Sequence, residues 1–286
     1  MRVLVPGAFG YIGLALLRRL AREHTVLAYG RGLTAVTRVV PENVRLAVDT
    51  VHDIYAQEDF DAVIHLVGSG GPQRCAAHPV DAIRSFSNLI EWTRRPRCRA
   101  IIASSIYVYG PRDRPSVETD RTEPTELYGA LKEASEALGH TALRLSNVYG
   151  VGAPIDLGRD SAVDRFARAA AIGGEMLVHG GSQLVDYVHI DDAVEAFVLA
   201  ISAPIATAAI NIGGGTPEPL LTIAERCLTI GRERGTMPTT ARICKTESNA
   251  SRCLDISLAE RAIGWKPRVP FDRGLRELVE FYGGKR

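Results

Sequence analysis

Two periodicities of apolar residues alternate along the N-terminal part of the chain. The apolar run at 3–5 is short and continuous, as in a strand buried on both faces. From residue 12 to residue 22, apolar side chains recur at helical spacing, with arginines on the opposite face. A second apolar run at 25–29 predicts another strand. The pattern therefore predicts a βαβ unit at the start of the chain.

The same alternation continues to residue 212, and helical patterns follow it. Further strands are predicted at 44–48, 62–66, 100–104, 141–145 and 209–212. Helices are predicted at 80–93, 126–139, 161–173, 191–201, 222–234 and 272–282. Since strands alternate with helices and are apolar almost throughout, we expect an α/β fold, a Rossmann-type doubly wound parallel sheet.

The turn between the first strand and the first helix contains three regularly spaced glycines. Gly7, Gly10 and Gly13 form a GxxGxxG pattern. Such a turn needs backbone conformations and close approaches that a Cβ would forbid. It brings a pyrophosphate close to N–H groups at the start of the helix, where the helix dipole favours negative charge. Strand, glycine turn and helix together predict a dinucleotide site.

The end of the second predicted strand bears on which dinucleotide binds. NAD sites usually place Asp or Glu there to hold the ribose 2′-hydroxyl, whereas an arginine accommodates a 2′-phosphate. Here the sequence is Tyr29-Gly30-Arg31, without an acid. Because Arg31 could pair bidentately with a phosphate, we expect NADP(H) rather than NAD(H).

The pattern of loops and elements changes after residue 150. Residues 1–150 are expected to form the dinucleotide-binding domain, with 187–212 returning to it. Residues 151–186 and 213–286 are expected to form a smaller C-terminal substrate-binding lobe over the sheet edge.

Composition argues against several classes of partner. The chain has 286 residues, a net charge of +1, 46% apolar and 23% charged residues, so nothing favours nucleic acid or an anionic membrane. Its five cysteines are scattered without a CxxC pair, which argues against disulfides and fits a reducing compartment. No apolar run approaches the roughly 20 residues of a membrane span, and the first strand leaves no room for a signal peptide. We expect a cytoplasmic protein that acts on a small molecule.

Three residues suggest acid–base chemistry. Tyr128 and Lys132 are four apart on a predicted helix and share one face, and Ser105 follows the strand at 100–104. A free tyrosine has a pKa of about 10, and a neighbouring ammonium should lower it toward neutrality. Ser105 could hydrogen-bond a carbonyl oxygen that gains charge. Without further context, an ordinary pair on a helix surface explains the Tyr–Lys spacing as well.

Other polar residues have simpler explanations. His189, Asp191 and Asp192 could be mistaken for metal ligands, but a helix N-terminus with acids in its first turn explains the two aspartates equally well, so we expect no metal. His65 lies in an apolar strand and is interpreted as a packed core histidine.

Eight segments, in order along the chain, carry a resemblance to a known family. They are GAFGYIG at 7–13, VIHL at 63–66, SSIYVYG at 104–110, YGALK at 128–132, LRLSNVYG at 143–150, DYVHIDD at 186–192, NIGGG at 211–215 and IGWKP at 263–267. The chain resembles the extended short-chain dehydrogenase/reductases, also called the NAD-dependent epimerase/dehydratase family. The resemblance implies a catalytic Ser105, Tyr128 and Lys132, and a homodimer formed through the helices at about 80–93 and 126–139.

The resemblance, together with the strand ends, also implies binding residues. Those expected at the cofactor are Gly7, Phe9, Gly10, Tyr11, Ile12, Gly13, Arg31, Asp49, Thr50, Leu66, Val67, Gly68 and Lys132. Those expected at the substrate are Ser69, Ser105, Tyr107, Tyr128, Asn147 and Arg252. Tyr107 could instead be a packing residue, and Arg252 a loop arginine.

Two departures from the family pattern narrow the activity. Family members that dehydrate sugars carry Asp-Glu after the catalytic Ser or Thr, whereas this chain has Ile106-Tyr107, which argues against a 4,6-dehydratase. Members that bind nucleotide diphosphate sugars often have an arginine where this chain has Val185, so the substrate class stays open.

Three functions follow from these observations. The first is an NADPH-dependent ketoreductase of a nucleotide-activated keto-sugar or a related specialised metabolite. The alternative is an NAD-dependent 4-epimerase of a UDP-sugar. A third possibility is a regulator that binds a dinucleotide without turnover, although such proteins tend to lose the Tyr or the Lys that this chain retains.

Overall fold

The structure of the chain is a computed structural model that describes residues 1–30, 40–47, 59–68, 70–93, 99–152, 161–205, 207–236, 241–244 and 251–284. Arg31, Asp49, Thr50 and Ser69 lie outside the described residues, so their assignment to the cofactor and substrate sites stays a prediction.

Strands and helices alternate along the chain. The strands are β1 Arg2–Pro6, β2 Thr25–Tyr29, β3 Arg45–Ala47, β4 Ala62–His65, β5 Arg99–Ser105, β6 Thr141–Leu145, β7 Asn147–Tyr149, β8 Met176–His179, β9 Leu184–Val185, β10 Tyr187–His189, β11 Ala209–Ile212, β12 Glu218–Pro219 and β13 Ala241–Cys244. The helices are α1 Tyr11–Leu20, α2 Pro72–Ala77, α3 Pro79–Thr93, α4 Leu127–Glu136, α5 Ala162–Ile172, α6 Ile190–Ser202, α7 Leu220–Glu233, α8 Ser257–Ile263 and α9 Phe271–Gly283.

Seven of these strands form one parallel sheet in the order β3-β2-β1-β4-β5-β6-β11. In the centre, Leu4 of β1 is paired with Leu27 of β2 on one side and with Val63 of β4 on the other. From β1, the strands β2 and β3 are added on one side of the sheet and the later strands on the other, so the order of addition switches sides between β1 and β4. In open α/β sheets, ligands bind beyond the carboxyl ends of the strands at such a switch point. The predicted fold class is confirmed.

The main core lies where α1 and α6 cover one face of this sheet. Leu16 and Leu17 of α1 and Phe197 of α6 are fully buried in it. Trp265 closes the same core and donates a hydrogen bond from Nε1 to the carbonyl oxygen of Asp192, at 2.8 Å. This packing fixes the start of α1 and the ends of β1 and β4 relative to one another.

A second core joins α5, α7 and α9. Its buried members include Phe166, Ile223, Leu275 and Leu278. Around it lie three two-stranded pairs, β7 with β10, β8 with β13 and β9 with β12. We call this region, without β7 and β10, the lobe. The exact domain boundaries stay a prediction.

Among the described residues, no helix combines the length and apolar character that crossing a bilayer requires.

Candidate active site

The glycine turn after β1 lies directly against the segment that follows β4. Gly7 has a φ of +83°, and a Cβ on it would lie 2.7 Å from the backbone of Leu66 and Val67. A Cβ on Gly13 would lie 2.4 Å from the carbonyl oxygen of Ala8. Real Cβ atoms do not approach so closely, so both positions require glycine. The result is a narrow crevice at the switch point of the sheet.

Helix α1 starts at this crevice without a side-chain cap. Its N-cap residue is Gly10, which has no side chain to accept a hydrogen bond from the first turn. First-turn N–H groups attract anions, so the crevice suits a pyrophosphate. The ring of Phe9 is buried against Gly30, and the hydroxyl of Tyr11 donates to the carbonyl oxygen of Gly150 at 2.9 Å. Because the side chains of Phe9 and Tyr11 contact protein, we expect these two residues to contact a cofactor through their backbone atoms.

The structure brings the three predicted catalytic residues together. Ser105 ends β5, Tyr128 lies in the first turn of α4, and hydrogen bonding by the Ser105 side chain acts to lower the pKa of Tyr128. One turn further, Lys132 donates from Nζ to the carbonyl oxygen of Ala103 at 2.6 Å. The same nitrogen lies 3.3 Å from where a Cβ of Gly68 would be. The group therefore borders the segment after β4, next to the glycine turn.

The pKa of Tyr128 is shifted in the direction opposite to the one expected. Burial raises the pKa of Tyr128 to about 12, and the hydrogen bond with Ser105 only partly opposes this. Burial also lowers the pKa of Lys132 to about 8. Lys132 Nζ lies 5.9 Å from the centre of the Tyr128 ring and donates to a backbone oxygen instead. The phenol is therefore protonated at neutral pH, while the ammonium is mostly charged.

Two predicted substrate residues lie beside this group. The Tyr107 ring packs edge-on against Tyr128, with 5.7 Å between ring centroids. The guanidinium of Arg252 lies 4.7 Å from the Tyr107 centroid, and its Nη2 is 3.4 Å from Glu126 Oε1. Burial raises the pKa of Tyr107. A cation, an aromatic face and the catalytic phenol thus form one continuous surface.

Asn147 lies in β7. It is the first residue of this strand, and its side-chain amide donates to the carbonyl oxygen of Asp186 at 3.0 Å. The hydrogen bonds and ring contacts of the described residues do not connect it directly with Tyr107 or Arg252. Val185 occupies the position that differs from the arginine of the family pattern, and it forms a β-bridge with Arg252.

Sequence reasoning missed two acids at the site, Glu126 and Glu136. Glu126 pairs with Arg252, and Glu136 raises the pKa of Lys132. The signal for Glu136 was available, because it follows Lys132 by four residues on a helix. Nothing in the sequence around Glu126 indicates its distant partner.

The histidines and acids outside the site have structural surroundings. His65 is 1% exposed, and burial and Lys132 lower its pKa to about 3, in agreement with its interpretation as a core residue. His189 caps α6 through Nδ1, and Asp192 accepts hydrogen bonds from the backbone of Arg268 and Val269. Within the described ranges, no group of three or more His, Cys, Asp and Glu side chains could hold a metal ion.

A cavity of about 260 Å³ opens between the segment 185–192 and the segment 267–271. Val185 and Tyr187 line it, and Ser105, Tyr128 and Lys132 do not. Tyr128 and Lys132 line a smaller cleft, between Val67 and Gly68 on one side and α3 and α4 on the other.

Comparison with known proteins identifies the family of the chain. Residues 3–213 match the model of the NAD dependent epimerase/dehydratase family. A probable UDP-glucuronate 4-epimerase of Rhizobium meliloti is 27% identical over 99% of this chain and 97% of that relative.

Solved structures share the whole fold. The UDP-glucose 4-epimerase of Thermotoga maritima, solved with UDP-glucose, superposes with a TM-score of 0.86 at 22% identity over 99% of this chain and 98% of that one. MoeE5, solved in complex with UDP-glucose and NAD, gives 0.83 at 26% identity over 98% of both chains. With a family model that covers most of its length and a sheet in Rossmann order, the chain belongs to the NAD-dependent epimerase/dehydratase family, and it is an enzyme of the extended short-chain dehydrogenase/reductase type.

Proposed function

We propose that the chain is an NAD-dependent 4-epimerase of a UDP-linked sugar. The observation that carries the proposal is the group of Ser105, Tyr128 and Lys132 beside the glycine crevice. The two relatives named above as epimerases, together with MoeE5, favour this activity over the ketoreductase that we expected first.

The residues of the crevice fit a dinucleotide. Glycine at positions 7 and 13 lets the turn fold tightly beside the start of α1, whose first-turn N–H groups can bind a pyrophosphate. The other described residues that would hold the dinucleotide are Phe9, Gly10, Tyr11, Ile12, Leu66, Val67, Gly68 and Lys132. Bound NAD would accept a hydride from the sugar and return it to the opposite face.

Tyr128 is the residue that moves the proton. In the direction that restores the alcohol, the protonated phenol donates its proton to the carbonyl oxygen, and the Ser105 hydroxyl hydrogen-bonds the same oxygen. In the opposite direction, the deprotonated form of Tyr128, its phenolate, takes the hydroxyl proton. The hydrogen bond with Ser105 assists this step because it lowers the pKa of Tyr128.

Arg252 is the group that would contact the substrate phosphates. It lies beside Tyr107, and Val185 next to it cannot share the task because its side chain is apolar. A guanidinium suits an oxyanion through paired hydrogen bonds. Asn147 and Ser69 stay predicted substrate residues.

Whether the cofactor is NAD or NADP rests on different observations. MoeE5 was solved with NAD, and this favours NAD. Arg31 favours NADP but lies outside the described residues. We propose NAD, and identification of the nucleotide that stays bound through purification tests this proposal.

We further propose a homodimer through α3 and α4. Val80 and Ile83 on α3 and Leu127 on α4 are large apolar side chains exposed to 60%, 52% and 39%. Their burial against a second copy would remove them from water.

The function is tested with the purified chain. Acid denaturation should release a nucleotide identified as NAD by mass spectrometry. UDP-glucose and UDP-glucuronate should then be tested separately, with product formation followed by proton NMR, and we expect inversion at C4 of one of them. Oxidation of NADPH by a keto-sugar without inversion would support a ketoreductase instead. Tight NAD without any turnover would indicate a regulator.

A further inference from the structure

Helix α4 carries a third titratable residue on the same face as Tyr128 and Lys132. Glu136 follows Lys132 by four residues, so the three side chains lie one turn apart along the helix. The proposed chemistry uses the first two and leaves Glu136 without a role. Its side chain is only 12% exposed, which is unusual for an acid without a function.

Two neighbouring strands hold the carboxylate of Glu136. Arg144 of β6 contacts it with Nη2 at 2.6 Å from Oε2 and with Nε at 3.0 Å from Oε1. Ser104 of β5 donates its hydroxyl to Oε1 at 2.5 Å. Ser104 directly precedes Ser105, so the helix of Tyr128 and the strand of Ser105 are joined through one carboxylate.

Arg144 is itself fixed from the other side. Its Nη1 donates to the hydroxyl of Tyr109 at 2.7 Å, and that hydroxyl donates to Asn211 Oδ1 at 2.8 Å. The backbone N–H of Asn211 donates to Glu118 at 2.8 Å. The network therefore spans β5, β6 and β11, and Glu136 cannot shift without breaking several of its contacts.

The groups that face Lys132 come from three elements. From β4, His65 is near enough for the Lys132 ammonium to lower the pKa of His65. From β5, the carbonyl oxygen of Ala103 accepts a hydrogen bond from Lys132. On α4 itself, the Tyr128 ring lies 5.9 Å from Nζ and Glu136 lies one turn beyond. Burial disfavours the charge on Lys132, and Glu136 is the acid that favours it.

We propose that Glu136 is a positioning residue: held by Arg144 and Ser104, it fixes α4 against the strand of Ser105 and keeps Lys132 charged beside Tyr128. The effect on catalysis rests on the proposed function, whereas the effect on Lys132 does not. The two can therefore fail separately.

The direct test is the titration of Lys132 by NMR. The chain has four lysines, Lys132, Lys245, Lys266 and Lys285, so a protein labelled with ¹³C at lysine Cε gives few signals, and the signal lost in Lys132→Arg identifies Lys132. In Glu136→Gln we expect the pKa of Lys132 to fall by about one unit, because an opposite charge is removed from its surroundings. The matched control is Glu133→Gln, which removes a half-buried acid of the same helix that hydrogen-bonds Thr122. It should leave the titration unchanged.

Two further measurements separate positioning from simple loss of structure. In Glu136→Gln, kcat should fall more than KM rises, and the alkaline limb of the kcat profile should move to lower pH. If this variant fails to fold, the double variant Glu136→Gln/Arg144→Met removes both charges together, and the pKa of Lys132 should still fall, but by less than in Glu136→Gln, because the positive charge of Arg144 is lost as well. An unchanged Lys132 titration in whichever variant folds would overturn the proposal, and so would an equal shift in Glu133→Gln. Absence of epimerase activity in the wild type would overturn the proposed function only.

Discussion

The cofactor side and the lobe are built in opposite ways. On the cofactor side, β1, β2, β4, β5 and β6 are four to seven residues long and pair with neighbours inside one sheet. In the lobe, β9 and β12 have two residues each and pair with one another, and β9 adds a single bridge from Val185 to Arg252. The first region is held by continuous strands and close backbone contacts, and the second by individual buried side chains. On the cofactor side, substitutions should therefore alter the reaction or clash with the backbone. In and beside the lobe, they should alter individual polar contacts.

The largest effect is expected at Tyr128. Tyr128→Phe removes the proton that the reaction moves, and we expect kcat to fall by about 10³-fold while bound NAD is retained. The control is Tyr282→Phe. The Tyr282 hydroxyl lies 3.2 Å from Asp164 Oδ1 in the second core, and not in the catalytic group. The activity of this variant should stay close to that of the wild type. Steady-state kinetics and cofactor content distinguish the two. Comparable losses in both variants would mean that Tyr128 acts through the fold.

A smaller effect is expected from Asp186, at the junction with the lobe. Burial raises its pKa from 3.8 to about 6, so the folded chain holds this proton more tightly than the unfolded chain. The stabilisation is complete below about pH 4 and is lost as the pH rises through 6, a change of about 3 kcal/mol in the free energy of unfolding. Urea unfolding of the wild type and of Asp186→Ala across this range measures it. The wild type should lose about that much more stability than the variant, and parallel curves would contradict the prediction.

The glycine crevice should respond to a single methyl group. Gly13→Ala places a Cβ 2.4 Å from the carbonyl oxygen of Ala8, and we expect the free energy of unfolding to fall by about 1–3 kcal/mol, with loss of bound NAD. Gly284→Ala is the control, since its Cβ would lie 3.5 Å from the nearest atom, the Glu280 carbonyl oxygen. Cofactor content that survives Gly13→Ala would show that the crevice does not hold the dinucleotide.

The smallest effect on activity is expected at the proposed dimer surface. Ile83→Asp on α3 should convert a dimer into a monomer, measured by light scattering after gel filtration. Ile172→Asp at the end of α5 is an equally exposed control in the lobe, with 50% exposure against 52%, and should leave the mass unchanged. A wild type that is already monomeric would end this proposal.

Most of the cofactor side could be predicted from the sequence, because its signals are local. The strands at 141–145 and 209–212 agree with the structure residue for residue, and Ser105, Tyr128 and Lys132 lie together as expected. A long apolar strand or a set of regularly spaced glycines can be predicted from a short stretch of sequence.

The rest depends on contacts between distant residues. β7 was not predicted because it follows β6 after a single residue. The direction of the Tyr128 pKa shift was missed because burial is not visible in a spacing of four residues. The pair of Glu126 with Arg252 joins positions 126 residues apart.

The central claim is that one hydride leaves the sugar and returns to the same molecule while Tyr128 holds the proton. It is tested most directly with the UDP-sugar that the chain converts, deuterated at C4 and incubated in ordinary water without added cofactor. The epimerase account predicts an inverted product that retains its deuterium at C4, with no accumulation of NADH. Loss of the deuterium, or a product that forms only in proportion to added NADH or NADPH, would contradict it.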